Sequence, residues 1–233
     1  MPAGSSARHG DPAASSFYDS TRIADAIEYL LRLAAKLGDE RGDKKPFPLS
    51  INISLGTNGH AHDTSSAMAR WIDNSLASRG RCVSVAAGNA GQVAADANAP
   101  RSLLLGRIHA GGVLAATNLR QELGWIVGGD GIPDFSENEM EIWYGPQDRF
   151  DVDVRPPGGA WVGPVPLGKA IRHTFLADGT VLSIHSEAYH PSNGLNRISI
   201  LLSPFYGHRE GATREMMPIT SGEWRVRLTG VVV

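Results

Sequence analysis

From Thr21 to Leu37, apolar residues recur at Ile23, Ala26, Ile27, Leu30, Leu31, Ala34 and Leu37. This three-and-four spacing places one apolar stripe along an α-helix. Gly38 follows as the expected C′ stop. After a polar loop, DERGDKKPFP, the run Leu49-Ser50-Ile51-Asn52-Ile53-Ser54-Leu55 predicts a buried strand that ends at Gly56-Thr57-Asn58-Gly59. A second helical pattern uses Met68, Trp71, Ile72 and Leu76 and runs to Ser78, with Thr64 or Ser65 as N-cap. Arg79-Gly80 breaks it, and Cys82 to Ala87 predicts another buried strand. The order helix, strand, helix, strand predicts an α/β layer with a parallel sheet.

Beyond residue 105 the pattern changes to short alternating stretches between glycine and proline turns. Strands are expected at 107–117, 123–128, 139–144, 149–155, 171–176, 180–187, 196–203 and 223–230, with turns at Gly128-Gly129-Asp130-Gly131, Pro156-Pro157-Gly158-Gly159, Asp178-Gly179 and Ser192-Asn193-Gly194. Many strands without helices predict a β-sandwich, jelly-roll-like in outline. The expected organisation is therefore a disordered tail over residues 1–16, an α/β domain over 17–104 and a β-sandwich over 105–233. The Ala-, Asn- and Asp-rich stretch 90–104 forms the join.

Composition narrows the function classes. At 233 residues the chain is long enough to bury a core, and its 42% hydrophobic and 20% charged residues are ordinary for a soluble globular protein. A formal net charge of −2 gives no basic field for nucleic acid. No apolar run is long enough to cross a bilayer, and MPAGSSARHGDPAASS lacks the apolar segment of a signal peptide. The expectation is a soluble protein of open localisation, with neither nucleic acid nor membrane as partner. A single cysteine, Cys82, excludes an internal disulfide and a thiolate metal cluster.

Candidate chemistry gathers at two strand ends, Ser54-Leu55-Gly56 and Ala86-Ala87-Gly88-Asn89. Ligands of open α/β sheets sit beyond the carboxyl ends of the strands, so both segments are expected to face one crevice. Asn89 has two readings: a turn residue that tolerates left-handed backbone, or an amide that donates to a developing oxyanion. His60, His62 and Asp63 suggest a metal by their spacing, but no third ligand stands near and Asp63 also suits a helix cap. The expectation is no metal and no cofactor. Cys82 reads as a small buried hydrophobe rather than a nucleophile. Ser65 and Ser66 sit on one loop with His62 and Asp63, whereas triad members converge from separate elements. Trp143, Trp161 and Trp224 suit sandwich core or rim better than a carbohydrate platform.

In their order and spacing, a helix ending near Leu37, INISLGTNGHAHDTSS, a further helix and VSVAAGNAG resemble the middle of a subtilisin-like serine protease domain. The stretch Gly56 to Asp63 is similar to a bacterial subgroup with a jelly-roll insertion. The phrases MEIWYGPQDRFDVDVRPPGG, NGLNRISILLSP and SGEWRVRLTG resemble strands of that insertion. The resemblance covers most of residues 17–230. It implies that Ser54, Leu55 and Gly56 line the S1 pocket and pair with substrate backbone, that Ala86, Ala87 and Gly88 form the opposite wall, and that Asn89 donates in the oxyanion hole. The Asp-Thr-Gly, His-Gly-Thr-His and Gly-Thr-Ser contexts of the family triad do not occur in these residues. The function implied is serine endopeptidase, with a peptide or protein as substrate, in a chain inactive alone and read as an internal fragment. Two alternatives stay open: a non-catalytic peptide- or protein-binding module, and one half of a split protease whose partner holds the triad.

Overall fold

The computed structural model describes residues 21–42, 45–55, 59–87, 103–104, 109–128, 133–207 and 215–233. They fall into two compact units, one from 21–55 and 62–87, the other from 59–61 and the described residues beyond 103.

In the first unit, helix α1 (Thr21–Arg41) precedes strand β1 (Leu49–Ile53), helix α2 (Ala67–Ser75) and strand β2 (Arg81–Val85). Ile27, Ile51 and Ile53 are buried together, with Ile23, Leu30, Leu31, Leu49, Ile72 and Val83 packed around them. The expected stripe is therefore the packed face of α1, except that Ala26 and Leu37 lie exposed. Gly38 does not stop the helix, which runs to Arg41 and ends with Gly42 at φ 85°. Gly38 has a different task. The returning chain lies along the last turns of α1: Phe47 N–H donates to the Ala34 carbonyl (3.0 Å), and the Arg41 guanidinium stacks 4.0 Å over the Phe47 ring. A Cβ at Gly38 would run into the Lys45 carbonyl oxygen. Gly38→Ala should therefore destabilise this unit by about 1–3 kcal/mol despite the better helix propensity of alanine. Urea titration followed at α1 amides checks this, and a stabilised variant would remove the close-approach role.

The cap of α2 also differs from the expected Thr64 or Ser65. Ser66 is extended at φ −61°, ψ 148°, and its hydroxyl accepts from Ala69 N–H at 3.2 Å. Asp63 bonds Ser65 N–H (3.0 Å) one step earlier, and Thr64 has φ 66°, outside the range a capping residue uses. Strands β1 and β2 run parallel, with Ser50 opposite Cys82 and Ile53 opposite Val85. Both were expected to be buried. In β1 only Ile51 and Ile53 are, and β2 holds no buried residue, Arg81 and Val83 being half-buried; Ser50, Asn52, Cys82 and Ser84 lie exposed on the face away from α1. Burial of a strand's second face needs a second layer, and the described part of this unit supplies one layer.

The second unit begins with β3 (Leu103–Leu104), which pairs parallel to β4 (Arg120–Val127). There follow β5 (Asn138–Tyr144), β6 (Arg149–Arg155), β7 (Val162–Val165), β8 (Ala170–Phe175), β9 (Val181–Glu187) and β10 (Asn196–Ser203). The ribbon β11 (Phe205–Gly207) with β12 (Glu215–Met217) precedes the long strand β13 (Gly222–Val232). One sheet has the order β5-β10-β9-β8 and the other β3-β4-β13-β6-β7. In the first, β8, β9 and β10 are joined by hairpins and β5 reaches β10 by a long connection, a Greek-key order. The expected turns drive this. Gly179 takes φ 94°, Asp178 accepts from Thr180 N–H (2.9 Å), and Leu176 N–H closes on the Thr180 carbonyl (2.9 Å).

Alternation builds one core from both sheets. Ile198, Ile200 and Leu202 of β10, Leu182 and Ile184 of β9, Val152 and Val154 of β6, and Trp224, Val226 and Leu228 of β13 are buried in one cluster. Asn196 is buried at its edge. Its amide donates to the carbonyls of Asp148 (2.9 Å) and Gly145 (3.3 Å) and accepts from Tyr189 N–H (3.2 Å), fixing the turn between β5 and β6.

The expected fold class, α/β with a partial subtilisin-like parallel sheet followed by a jelly-roll-like sandwich, is thereby corrected. Of the described residues, 43% are strand and 17% helix, in only two helices, and the larger sheets are antiparallel. Parallel pairing is confined to β1 with β2 and the two residues of β3 with β4. Parallel neighbours need crossover connections, whereas most strands here are joined by short turns that enforce antiparallel pairing. Of the strand expected at 107–117, the described part, 109–117, holds none.

Candidate functional site

The two candidate segments leave the same end of a parallel pair. Ile53 and Val85 are the last register partners of β1 and β2, and the Ala86 N–H still donates to the Ile53 carbonyl at 3.0 Å. Ser54-Leu55 and Ala86-Ala87 thus start side by side at the carboxyl edge of the pair. Asn52 donates its side-chain amide to the Ser54 hydroxyl at 2.7 Å, which holds the first residue past the strand. The Leu55 side chain is 59% exposed, so its surface is available to a ligand. Gly56, Gly88 and Asn89 lie outside the described residues.

The loop before α2 carries three non-glycine residues at positive φ: His60 (75°), His62 (54°) and Thr64 (66°). Among the described residues no group of three or more His, Cys, Asp or Glu side chains could hold a metal ion. Cys82 lies on an exposed strand face, which corrects the expectation of a buried thiol. Trp224 is core. Trp143 and Trp161 are half-buried and each faces an arginine: Arg197 at 5.5 Å from the Trp143 ring, Arg227 at 4.1 Å from that of Trp161.

A polar hub on the outer face of β5 and β10 was not foreseen from sequence. Glu141 receives the His60 N–H (2.6 Å) and the Trp143 indole N–H (3.1 Å) on one oxygen and Arg197 (3.0 Å) on the other. Arg197 also holds Glu187 at 2.9 Å. The hub depends on cross-strand register, Trp143 opposite Arg197 and Arg197 opposite Glu187. The sequence signal was only the alternation of Glu139, Glu141 and Trp143 with apolar neighbours.

Burial alone would raise the Glu141 carboxyl, but the His60, Trp143 and Arg197 donors outweigh it and hold the group below its ordinary value. Glu139 moves the other way, raised by burial and by the neighbouring Glu141 charge. The signs follow. A lowered carboxyl stabilises the fold above its ordinary value of 4.5, and that contribution is lost as pH falls through the folded-state value. A raised one disfavours the fold once both states ionise. Glu141→Gln should cost about 1–3 kcal/mol at neutral pH and flatten the acid limb of the stability profile. Glu139→Gln should raise stability at neutral pH. Denaturant midpoints taken across the acid range check both, and an unchanged acid limb in Glu141→Gln would refute the hub's role.

No family model and no curated protein matches the chain. A solved structure does, that of the Clostridium perfringens CspB protease, at 19% identity and a TM-score of 0.61. The chain has the fold of a segment of that protease. The match covers 91% of this chain and 37% of that one, so the chain spans little more than a third of the protease's length. At this identity the likeness is one of fold. Among the described residues no helix is long and apolar enough to cross a membrane.

Proposed function

We propose that these residues are a segment of a subtilisin-like serine endopeptidase, of the bacterial subgroup their motifs resemble. The observation that carries this reading is the side-by-side departure of Ser54-Leu55 and Ala86-Ala87 from one end of the β1–β2 pair. The fold likeness to a protease supports it. In this reading an extended peptide substrate pairs with the backbone of Ser54 to Gly56 as an added strand, with Ala86 to Gly88 as the opposite wall. A serine from outside these residues attacks the scissile carbonyl, and the Asn89 amide stabilises the oxyanion of the tetrahedral intermediate. Collapse of that intermediate breaks the scissile C–N bond, the amine leaves with the proton taken from the serine hydroxyl, and water then hydrolyses the acyl-enzyme ester to the acid and free serine.

The Asp, His and Ser contexts are absent from the 233 residues, so the triad has to come from elsewhere in a longer polypeptide or from a partner chain. The test is a peptidase assay on the chain alone and on the chain joined with a polypeptide that bears the triad motifs, sought in the flanking coding DNA. The expected result is no hydrolysis alone and hydrolysis on reconstitution that a serine-directed inhibitor abolishes. Hydrolysis by the chain alone, or none on reconstitution with a folded partner, would count against the proposal. A second reading, a non-catalytic peptide- or protein-binding module, is favoured by the self-contained core of the second unit. Tight peptide binding by the chain alone would select it.

A further inference from the structure

The outer face of the four-stranded sheet carries an open pocket of about 530 Å³ that the proteolytic reading does not use, whose lining includes Gly168, Lys169, Ala170, Arg172, His185 and Glu187, with Ser186 between the last two. Local sequence builds it. Ile171 pairs with Ile184 and Thr174 with Leu182, so Arg172 and His173 together oppose the single residue Ser183. This is a β-bulge, which breaks the alternation of side chains and re-aims the residues within it. His173 adopts φ 50°, and its N–H is held by the Ser183 hydroxyl at 3.0 Å. The turn before β8 is bound to β9 through Gly168 N–H to the Ser186 carbonyl (2.8 Å) and Ser186 N–H to the Lys169 carbonyl (3.0 Å). Lys169 and Arg172 are therefore carried on anchored backbone. Ala170 faces His185 across the strands, and Gly168 has open space where a Cβ would stand, so small residues leave the pocket free.

The charges in the pocket are unequal in their partners. Glu187 is engaged by Arg197 at 2.9 Å, and the same guanidinium holds Glu141. Among the described residues, Lys169 and Arg172 make no ion pair and the His185 ring makes no hydrogen bond. The depression, open to solvent, thus offers two exposed cations without an ion-pair partner among the described residues, beside a half-buried imidazole. A guanidinium fork and an ammonium match oxygen anions, the fork in bidentate geometry. A single negative charge would leave one of the two cations unpaired.

We propose that this pocket binds a small dianionic oxyanion, a phosphate monoester or a dicarboxylate, between Arg172 and Lys169 with His185 at its side. The test is titration of the isotopically labelled full chain with inorganic phosphate and, separately, with succinate, at low ionic strength to limit screening. Saturable shifts are expected at the amides of residues 168–172 and 185–187 and at the His185 ring. The double variant Lys169→Gln/Arg172→Gln should weaken binding about tenfold or more, while Lys36→Gln on α1 leaves it unchanged. Tighter saturation by phosphate assigns a phosphoryl ligand, and tighter saturation by succinate a dicarboxylate. The proposal is overturned if neither anion gives saturable shifts at about 20 mM, where even a millimolar Kd would saturate, or if the double variant binds as well as the parent. None of these residues belongs to the proteolytic reading, so the two stand or fall separately.

Discussion

Trp224→Ala is expected to remove about 3–5 kcal/mol from the stability of the second unit, a large share of the roughly 5–15 kcal/mol typical of a folded domain. Trp224 is fully buried on β13, which pairs with β4 on one side and β6 on the other. Its ring belongs to the cluster that unites residues of both sheets, so truncation opens a cavity where they meet. Its indole N–H donates to the Thr220 carbonyl at 2.9 Å, and the alanine variant leaves that acceptor without its partner. Trp224→Phe separates the two contributions. It keeps most of the apolar volume and loses the donor, and should cost less than half as much. Guanidinium titration followed at sandwich amides gives both values. An alanine variant within about 0.5 kcal/mol of the parent, the range of ordinary surface substitutions, would mean that Trp224 does not anchor this core.

What the sequence disclosed depended on whether the deciding interaction was local. The strands at 149–155 and 196–203 have the bounds expected from alternation and flanking turns, because both signals lie within a few residues. Val162–Val165 was missed because Gly163 and Pro164 argue against a strand, yet β7 is the edge of its sheet, where proline is tolerated. Gly38 was misread as a helix stop because a glycine needed for close approach looks the same in sequence as one needed for left-handed backbone. Only the position of Lys45 distinguishes them. Cys82 was misplaced for a related reason. An apolar neighbourhood predicts burial, but the face of β2 that carries Cys82 lies away from α1. At the candidate site, the shared edge of Ser54 and Ala86 follows from parallel pairing of β1 and β2, which the helix–strand order implies. The Glu141–Arg197–Glu187 hub and the bulge at Arg172 were out of reach, because each rests on the register of strands distant in sequence.

Asn89→Ala, in an enzyme reconstituted with the triad, is expected to lower kcat by about a hundredfold or more with little change in KM. Strand β2 ends at Val85, and Ala86 is still tied to Ile53, so the chain keeps to the edge of the pair for at least one residue beyond the strand. An amide placed to meet an oxyanion gains most when the carbonyl oxygen takes on charge. Its loss therefore falls on the chemical step rather than on substrate binding. The competing reading, a turn residue in left-handed backbone, makes a different demand, because glycine meets it better than asparagine. Asn89→Gly should then preserve the fold and, on the turn reading alone, the rate; on the oxyanion reading it should be as slow as Asn89→Ala. Asn89→Asp tests the sign of the field, since it keeps the shape but sets a carboxylate against the developing negative charge, and should be slower still. A loss below fivefold in Asn89→Ala and Asn89→Gly, with hydrolysis otherwise restored, would remove Asn89 from the chemistry. A loss of the expected size, at unchanged KM and unchanged stability, would leave the turn reading unable to account for it.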